Sequence, residues 1–153
     1  MVMLVGCEVC ERIELTRRGE NPFLAEELAT GYVVLGDFQR FNGYTLLLCK
    51  RHARELHELD TDFRRLFLEE MALTAEVVYR AFQPDKLNYE LLGNGDTHLH
   101  WHLIPRYAGD TPARGPIWQL PASELYAQRF RPTNQEREEK IARLREALAT
   151  VRK

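Results

Sequence analysis

No run of apolar residues in this chain is long enough to cross a bilayer. Its apolar start, Met1 to Cys7, is short and runs straight into Glu8 and Glu11. A secretory signal has a basic opening and a longer apolar stretch. The expectation is a cytoplasmic protein with no membrane partner. Positive charge is not in excess either: 21 Lys and Arg stand against 23 Asp and Glu, for a net charge of −2. That excludes a global basic field of the kind that coats nucleic acid, and no nucleic-acid partner is expected. Cysteine is scarce, and its count of three makes a poor disulfide framework. Repeats, low-complexity tracts and long linkers are missing. What is there, 44% hydrophobic and 29% charged residues over 153 positions, suits a single soluble domain with a real core, spanning 1–153.

Thr30-Gly31 breaks two short apolar runs between Phe23 and Gly36. They predict a strand pair, with a helical turn over Phe23 to Ala29 as the alternative. Asn42-Gly43 is a turn signal, and Tyr44 to Cys49 forms a continuous apolar run suited to a buried strand. Asp60 to Phe82 is the clearest helix: Asp60 can cap it, Pro84 stops it, and Phe63, Leu66, Phe67, Met71, Val78 and Phe82 form an apolar stripe. Leu87 to Leu92 predicts a strand, Gly93 to Asp96 a turn, and the segment from His98 a second strand paired antiparallel to the first. Thr133 and Glu136 make a capping box after Pro132. The helix that follows, about 133–152, carries Ile141, Leu144, Leu148 and Val151 as its stripe. Strands on both sides of a helix, without regular β–α alternation, indicate an α+β class.

The most informative segment is His98-Leu-His-Trp-His102. On a strand, side chains alternate between faces, so His98, His100 and His102 share one face while Leu99, Trp101 and Leu103 take the other. Three uses of such a row compete. The imidazoles can be structural, hydrogen-bonded and no more. They can bind one metal, although at ~3.3 Å per residue the outer pair lies about 13 Å apart, against zinc–nitrogen bonds of about 2 Å. Or they can handle a phosphate, one neutral imidazole attacking phosphorus while its neighbours donate hydrogen bonds to the phosphoryl oxygens.

His98-Leu-His-Trp-His-Leu-Ile-Pro-Arg106 resembles the signature of the histidine triad (HIT) nucleotide-binding family, which alternates three histidines with apolar residues and often continues into Pro-Arg. Upstream, Asn42-Gly43-Tyr44-Thr-Leu-Leu-Leu-Cys-Lys-Arg-His52 resembles that family's turn–strand segment ending in a basic residue and His. The likeness covers roughly residues 7–107 and leaves a C-terminal extension. It implies an antiparallel β-sheet with a long helix packed on it, a C-terminal helix, and a homodimer. It also implies a nucleotide hydrolase or nucleotidyltransferase in which His100 attacks the α-phosphorus and forms a transient nucleotidyl-histidine. His102 would bind the phosphate and help the leaving group depart, and His98 would hold the geometry. Diadenosine tetraphosphate is the first substrate expectation. A phosphoramidase, a dinucleoside polyphosphate phosphorylase and a binding module with little turnover are the alternatives. Asn94 for the phosphate, Asp37 for the ribose and Arg106 for distal phosphates are the candidate substrate contacts; a turn role for Asn94 and a surface role for Asp37 weigh equally. The chain departs from the family pattern in its loop before the triad, where many members carry a longer Gly- and Gln-containing segment.

Cys7-Glu-Val-Cys10 is a C-x-x-C motif. A redox pair and free thiols are the alternatives to zinc; a structural zinc needs four ligands, and His52 and His98 are the natural completion, an arrangement that some histidine triad proteins resemble. His98 then faces the metal rather than the substrate. His57 is the rival to His52. Cys49, inside an apolar run, is expected to be a buried small hydrophobe. Trp101 is expected in the core. Trp118 is left between covering the nucleotide and packing on a partner subunit. No organic cofactor is expected.

Overall fold

The computed structural model describes residues 6–153; Met1 to Val5, and with them most of the apolar start, lie outside the described residues. The elements follow as α1 (Glu8–Arg17), β1 (Leu24–Glu27), β2 (Gly31–Leu35), β3 (Thr45–Cys49), α2 (Thr61–Phe82), β4 (Lys86–Glu90), β5 (His100–Arg106), α3 (Ala122–Leu125) and α4 (Asn134–Val151). The five strands form one antiparallel sheet in the order β1-β2-β3-β5-β4. Among the described residues no helix is long and apolar enough to cross a membrane.

Period-two alternation gives the sheet two different faces. Val33, Leu35, Leu47, Cys49, Trp101 and Leu103 point to one side, where α2 and α4 bury them in the main core. Tyr32, Val34, Leu46 and Leu48 point to the other, against Cys7, Val9, Cys10 and Ile13 of the N-terminal segment. Further along that second face, Phe41 and Ile104 pack with Ile117 and Leu125 of the C-terminal extension. The extension therefore belongs to the fold as much as residues 7–107 do. It also carries α4, packed on α2 and β1.

The ends of the helices obey local chemistry. The Asp60 carboxylate accepts from the Phe63 amide and starts α2, and Gln83 closes it in the left-handed region at φ 48. Thr133 and Glu136 form the full capping box of α4, with bonds of 3.2 and 2.8 Å. The Asn42-Gly43 turn leans against the end of α2. Gly43 has φ +91, and a Cβ there would meet Phe82 at 2.4 Å, so both the backbone angle and the close approach require glycine.

One expectation about elements is corrected and one element was not anticipated. Leu66 of the α2 stripe is exposed at 40%, whereas Glu70, one turn on, is buried at 8%. Its carboxylate accepts from the amides of Ala29 and Thr30, each at 2.8 Å, and from the Thr30 hydroxyl. The C-x-x-C opens a helix, α1, which the sequence reading did not include. Its polar, weakly amphipathic sequence lacks a clear apolar stripe, and the structure starts it with an unusual cap: the Cys10 amide donates to Cys7 Sγ at 3.3 Å.

Candidate active site

Strand β5 begins at His100, not at His98. The amide of His98 donates to Asp96 Oδ1 at 3.0 Å, which takes that residue out of the ladder. His98 is fully buried, and its ring Nε2–H donates to the carbonyl of Cys49 at 2.7 Å. This bond fixes the tautomer and leaves Nδ1 with a lone pair directed away from the strand.

That lone pair faces Cys7, Cys10 and His52. Nδ1 of His98 lies 3.5 Å from Cys7 Sγ, 3.4 Å from Cys10 Sγ and 3.1 Å from Nδ1 of His52. His52 Nδ1 lies 3.7 and 3.3 Å from the same two sulfurs. All four donor atoms fall within 4.8 Å of one another. A tetrahedral ion with bonds of about 2.3 Å to sulfur and about 2.0 Å to nitrogen has donor–donor edges of roughly 3.3 to 3.8 Å. The five spacings that involve a histidine, 3.1 to 3.7 Å, lie close to those edges, so the residues fit a Cys₂His₂ metal centre. Burial pushes the Cys7 thiol up to about 12, so a thiolate here needs a cation beside it. His57 is exposed on a 3-10 turn and takes no part.

His100 and His102 stand next to this cluster on the same face, with ring centroids 4.7 Å apart. His100 Nδ1–H donates to the carbonyl of His98 at 2.6 Å, so its Nε2 carries the free lone pair. Opposite β5, register pairs Leu48 with His100 and Leu46 with His102. These leucines floor a cavity of about 390 Å³. One wall is α1, through Val9 and Arg12; the other is Ile117, Trp118, Leu125 and Tyr126 of the C-terminal extension. An apolar slot that ends on two imidazoles suits a ligand with a flat apolar part and an anionic end. Burial, and next the neighbouring His100, push His102 down to about 4. Its Nδ1 lies 2.5 Å from the hydroxyl of Tyr44.

The candidate substrate contacts have separate fates. Asp37 lines this cavity, but its two oxygens accept from Arg12 at 2.7 and 2.8 Å in a bidentate pair. Asn94 is exposed in the loop before β5 and lines a second recess, about 210 Å³, together with Arg54, Thr97 and His100. Arg106 does not reach either recess. Its guanidinium donates to Asp110 at 2.8 and 2.9 Å, to Asn88 Oδ1 at 3.0 Å and to the Gly115 carbonyl at 2.7 Å, tying the extension to β4 and β5. Trp118 does stand over the triad: its ring meets His102 edge-on at 6.0 Å while its Nε1–H donates to Glu90 at 2.7 Å.

Tyr44 and Asp96 were missed by sequence reasoning. Asp96 accepts from the Val9 amide at 2.9 Å as well as from His98, joining α1 to the loop before β5. Burial alone would raise its carboxyl, but these two amide bonds and the Cys7 contact outweigh it, and the net shift is downward. Its position two residues before the first triad histidine was the available signal. Tyr44 carried only its position after the Asn42-Gly43 turn.

Residues 26–109 match the family model described as the HIT domain. A curated Bacillus subtilis relative, "Protein hit", is 28% identical over 87 residues, 54% of this chain and 59% of its own length. The chain spans about three-fifths of the length of the curated relatives it matches. Among solved structures, a histidine triad protein from Sinorhizobium meliloti superposes with a TM-score of 0.71 at 26% identity, covering 88% of this chain and 93% of that one. A zinc-bound histidine triad family protein from Mycobacterium smegmatis has the same fold, with a TM-score of 0.64 at 20% identity over 96% of both chains.

Proposed function

The chain belongs to the HIT domain family, and on that premise we propose that it cleaves a nucleotide at its α-phosphate through a nucleotidyl-histidine on His100. The carrying observation is the 2.6 Å bond from His100 Nδ1–H to the His98 carbonyl, which leaves Nε2 as the nitrogen that can attack, on the lining of an apolar cavity. In the first step Nε2 forms the nitrogen–phosphorus bond as the bond to the leaving group breaks. In the second, water takes the nucleotidyl group and regenerates the imidazole. His102 donates a hydrogen bond to the phosphoryl or leaving oxygen. The base and ribose occupy the slot between α1 and Trp118, with Asp37 at its rim. Asn94 and Arg54 line the recess on the far side of His100, where a polar leaving group would lie. Diadenosine tetraphosphate is the proposed substrate class; a phosphoramidate or phosphorolysis in place of hydrolysis are variants of the same chemistry.

Cys7, Cys10, His52 and His98 would hold zinc, and the ion would be structural: it fixes α1 and the segment that carries the His98 carbonyl. Support comes from the donor spacings, and the Mycobacterium smegmatis protein of the same fold is zinc-bound. Thiols that must stay reduced to bind metal suit the cytoplasm. A homodimer through β4 is proposed, since β4 is an edge strand and exposes Tyr89 at 50%; light scattering tests it. Chromatography of diadenosine tetraphosphate incubations tests the reaction. AMP and ATP from the protein, and neither from His100→Ala, are expected. Tight nucleotide binding with no product over long incubation would instead favour a binding module.

A further inference from the structure

Tyr44 immediately precedes β3, and its hydroxyl lies 2.5 Å from Nδ1 of His102, with the two rings edge-on at 5.9 Å. Among the described residues this imidazole is the hydroxyl's hydrogen-bond partner. The direction of the bond follows from acidity. A phenol O–H is the better donor of the two and a neutral imidazole nitrogen the better acceptor, so the phenol donates and Nδ1 accepts. With the proton on Nδ1 instead, the hydroxyl would have to accept. Its own hydrogen would then have no protein acceptor among the described residues. The remaining proton of His102 therefore sits on Nε2. His100 has the opposite tautomer, since its Nδ1–H is held by the His98 carbonyl. Two adjacent imidazoles thus present a lone pair and a proton.

We propose that Tyr44 is a positioning residue that fixes His102 as a neutral donor with its proton on Nε2, so that the site favours substrates whose leaving group departs as an anion over those whose leaving group must take up a proton. This rests on the nucleotidyl transfer at His100. There the Nε2 lone pair of His100 makes the new bond to phosphorus, and the electron pair of the breaking phosphorus–oxygen bond stays on the leaving oxygen. A nucleoside polyphosphate departs with that pair, and His102 need only donate a hydrogen bond and keep its proton. An amine departing from a phosphoramidate needs a proton. Neutral His102 could supply it only by becoming an imidazolate or by drawing the proton of Tyr44 onto Nδ1, leaving a phenolate. A donor already seated on Nδ1 opposes the imidazolium that would otherwise act as the acid. The other titratable groups facing the pair are His100, Glu90 and Tyr126. Burial acts in the same sense on both partners, holding His102 low and raising the Tyr44 phenol.

The test compares the protein with Tyr44→Phe, which keeps the ring, after thermal melts establish that both are folded. Nitrogen NMR of the imidazoles at neutral pH reads the tautomer directly. The expected result is a bare Nδ1 and a protonated Nε2 on His102 in the parent, with a mixture of tautomers in Tyr44→Phe. Diadenosine tetraphosphate and adenosine phosphoramidate are then compared by kcat. The parent should prefer the polyphosphate, and Tyr44→Phe should narrow that preference roughly tenfold with KM little changed, the size of one lost hydrogen bond in the transition state. A proton on Nδ1 of His102 in the parent, an unchanged tautomer and ratio in the variant, or a parent preference for the phosphoramidate would overturn the proposal. Turnover of neither compound would contradict the reaction assigned to His100, while the NMR result would still decide what Tyr44 does to His102.

Discussion

His98 holds His100 by its backbone while its own ring turns away: the His98 carbonyl accepts from His100 Nδ1 at 2.6 Å, and the His98 Nδ1 points into the Cys7–Cys10–His52 cluster. One residue thus couples the candidate metal centre to the proposed nucleophile. Anything that loosens the cluster displaces the carbonyl that sets the tautomer of His100.

Cys10→Ala should abolish metal binding, read by elemental analysis, whereas His100→Ala and His102→Ala should keep it. With zinc lost, α1 keeps Asp96, the Arg12–Asp37 pair and its apolar contacts, and the melting temperature should fall by on the order of 10 °C. AMP affinity should fall with it, because α1 is a wall of the cavity. Metal retained in Cys10→Ala but lost in His100→Ala would assign the ion to catalysis instead.

Glu70→Ala should be a pure stability variant. It strips the acceptor from the Ala29 amide and from the buried amide and hydroxyl of Thr30, on the far side of the sheet from the site. A loss of about 2 to 4 kcal/mol in urea unfolding is expected, with kcat unchanged in the folded fraction.

Arg12→Ala should raise KM by roughly threefold to tenfold and leave kcat alone, since it frees Asp37 from a bidentate partner and removes part of one wall, both remote from the reacting atoms. Steady-state kinetics separate the two constants, and a fall confined to kcat would contradict a binding role.

The pH dependence of stability follows from His102. In the unfolded chain a histidine titrates near 6.5; in the folded protein burial, and then the charge of His100, bring His102 down to about 4. Between these values the unfolded chain binds a proton that the folded chain does not. Its contribution is therefore fully present above pH 6.5, falls as pH drops from 6.5 toward 4, and is flat below, a change of about 3 kcal/mol. Urea midpoints across that range should decline more steeply for the parent than for His102→Asn, and equal slopes would sink the assignment.

Much of this was legible in the sequence where a local rule acts alone. Asp60 and the Thr133–Glu136 box placed both long helices, and alternation placed His100 and His102 opposite Trp101 and Leu103. The Cys7–Cys10–His52–His98 grouping came from spacing and resemblance together. Side chains whose partner lies far along the chain were not legible. The burial of Glu70 could not be read locally because its partners, Ala29 and Thr30, are 40 and more residues away. Arg106 followed the triad in sequence, yet Asp110 and Gly115 claim its guanidinium. Tyr44 gained its meaning only when the register of β3 and β5 set its hydroxyl on His102.

The most direct test of the central claim is intact-protein and peptide mass spectrometry after brief mixing with diadenosine tetraphosphate and a quench that avoids acid. An adenylyl adduct mapped to the peptide at His100, absent in His100→Ala, is the predicted result. Hydrolysis by His100→Ala at the parent's rate, with no adduct on either protein, would contradict it.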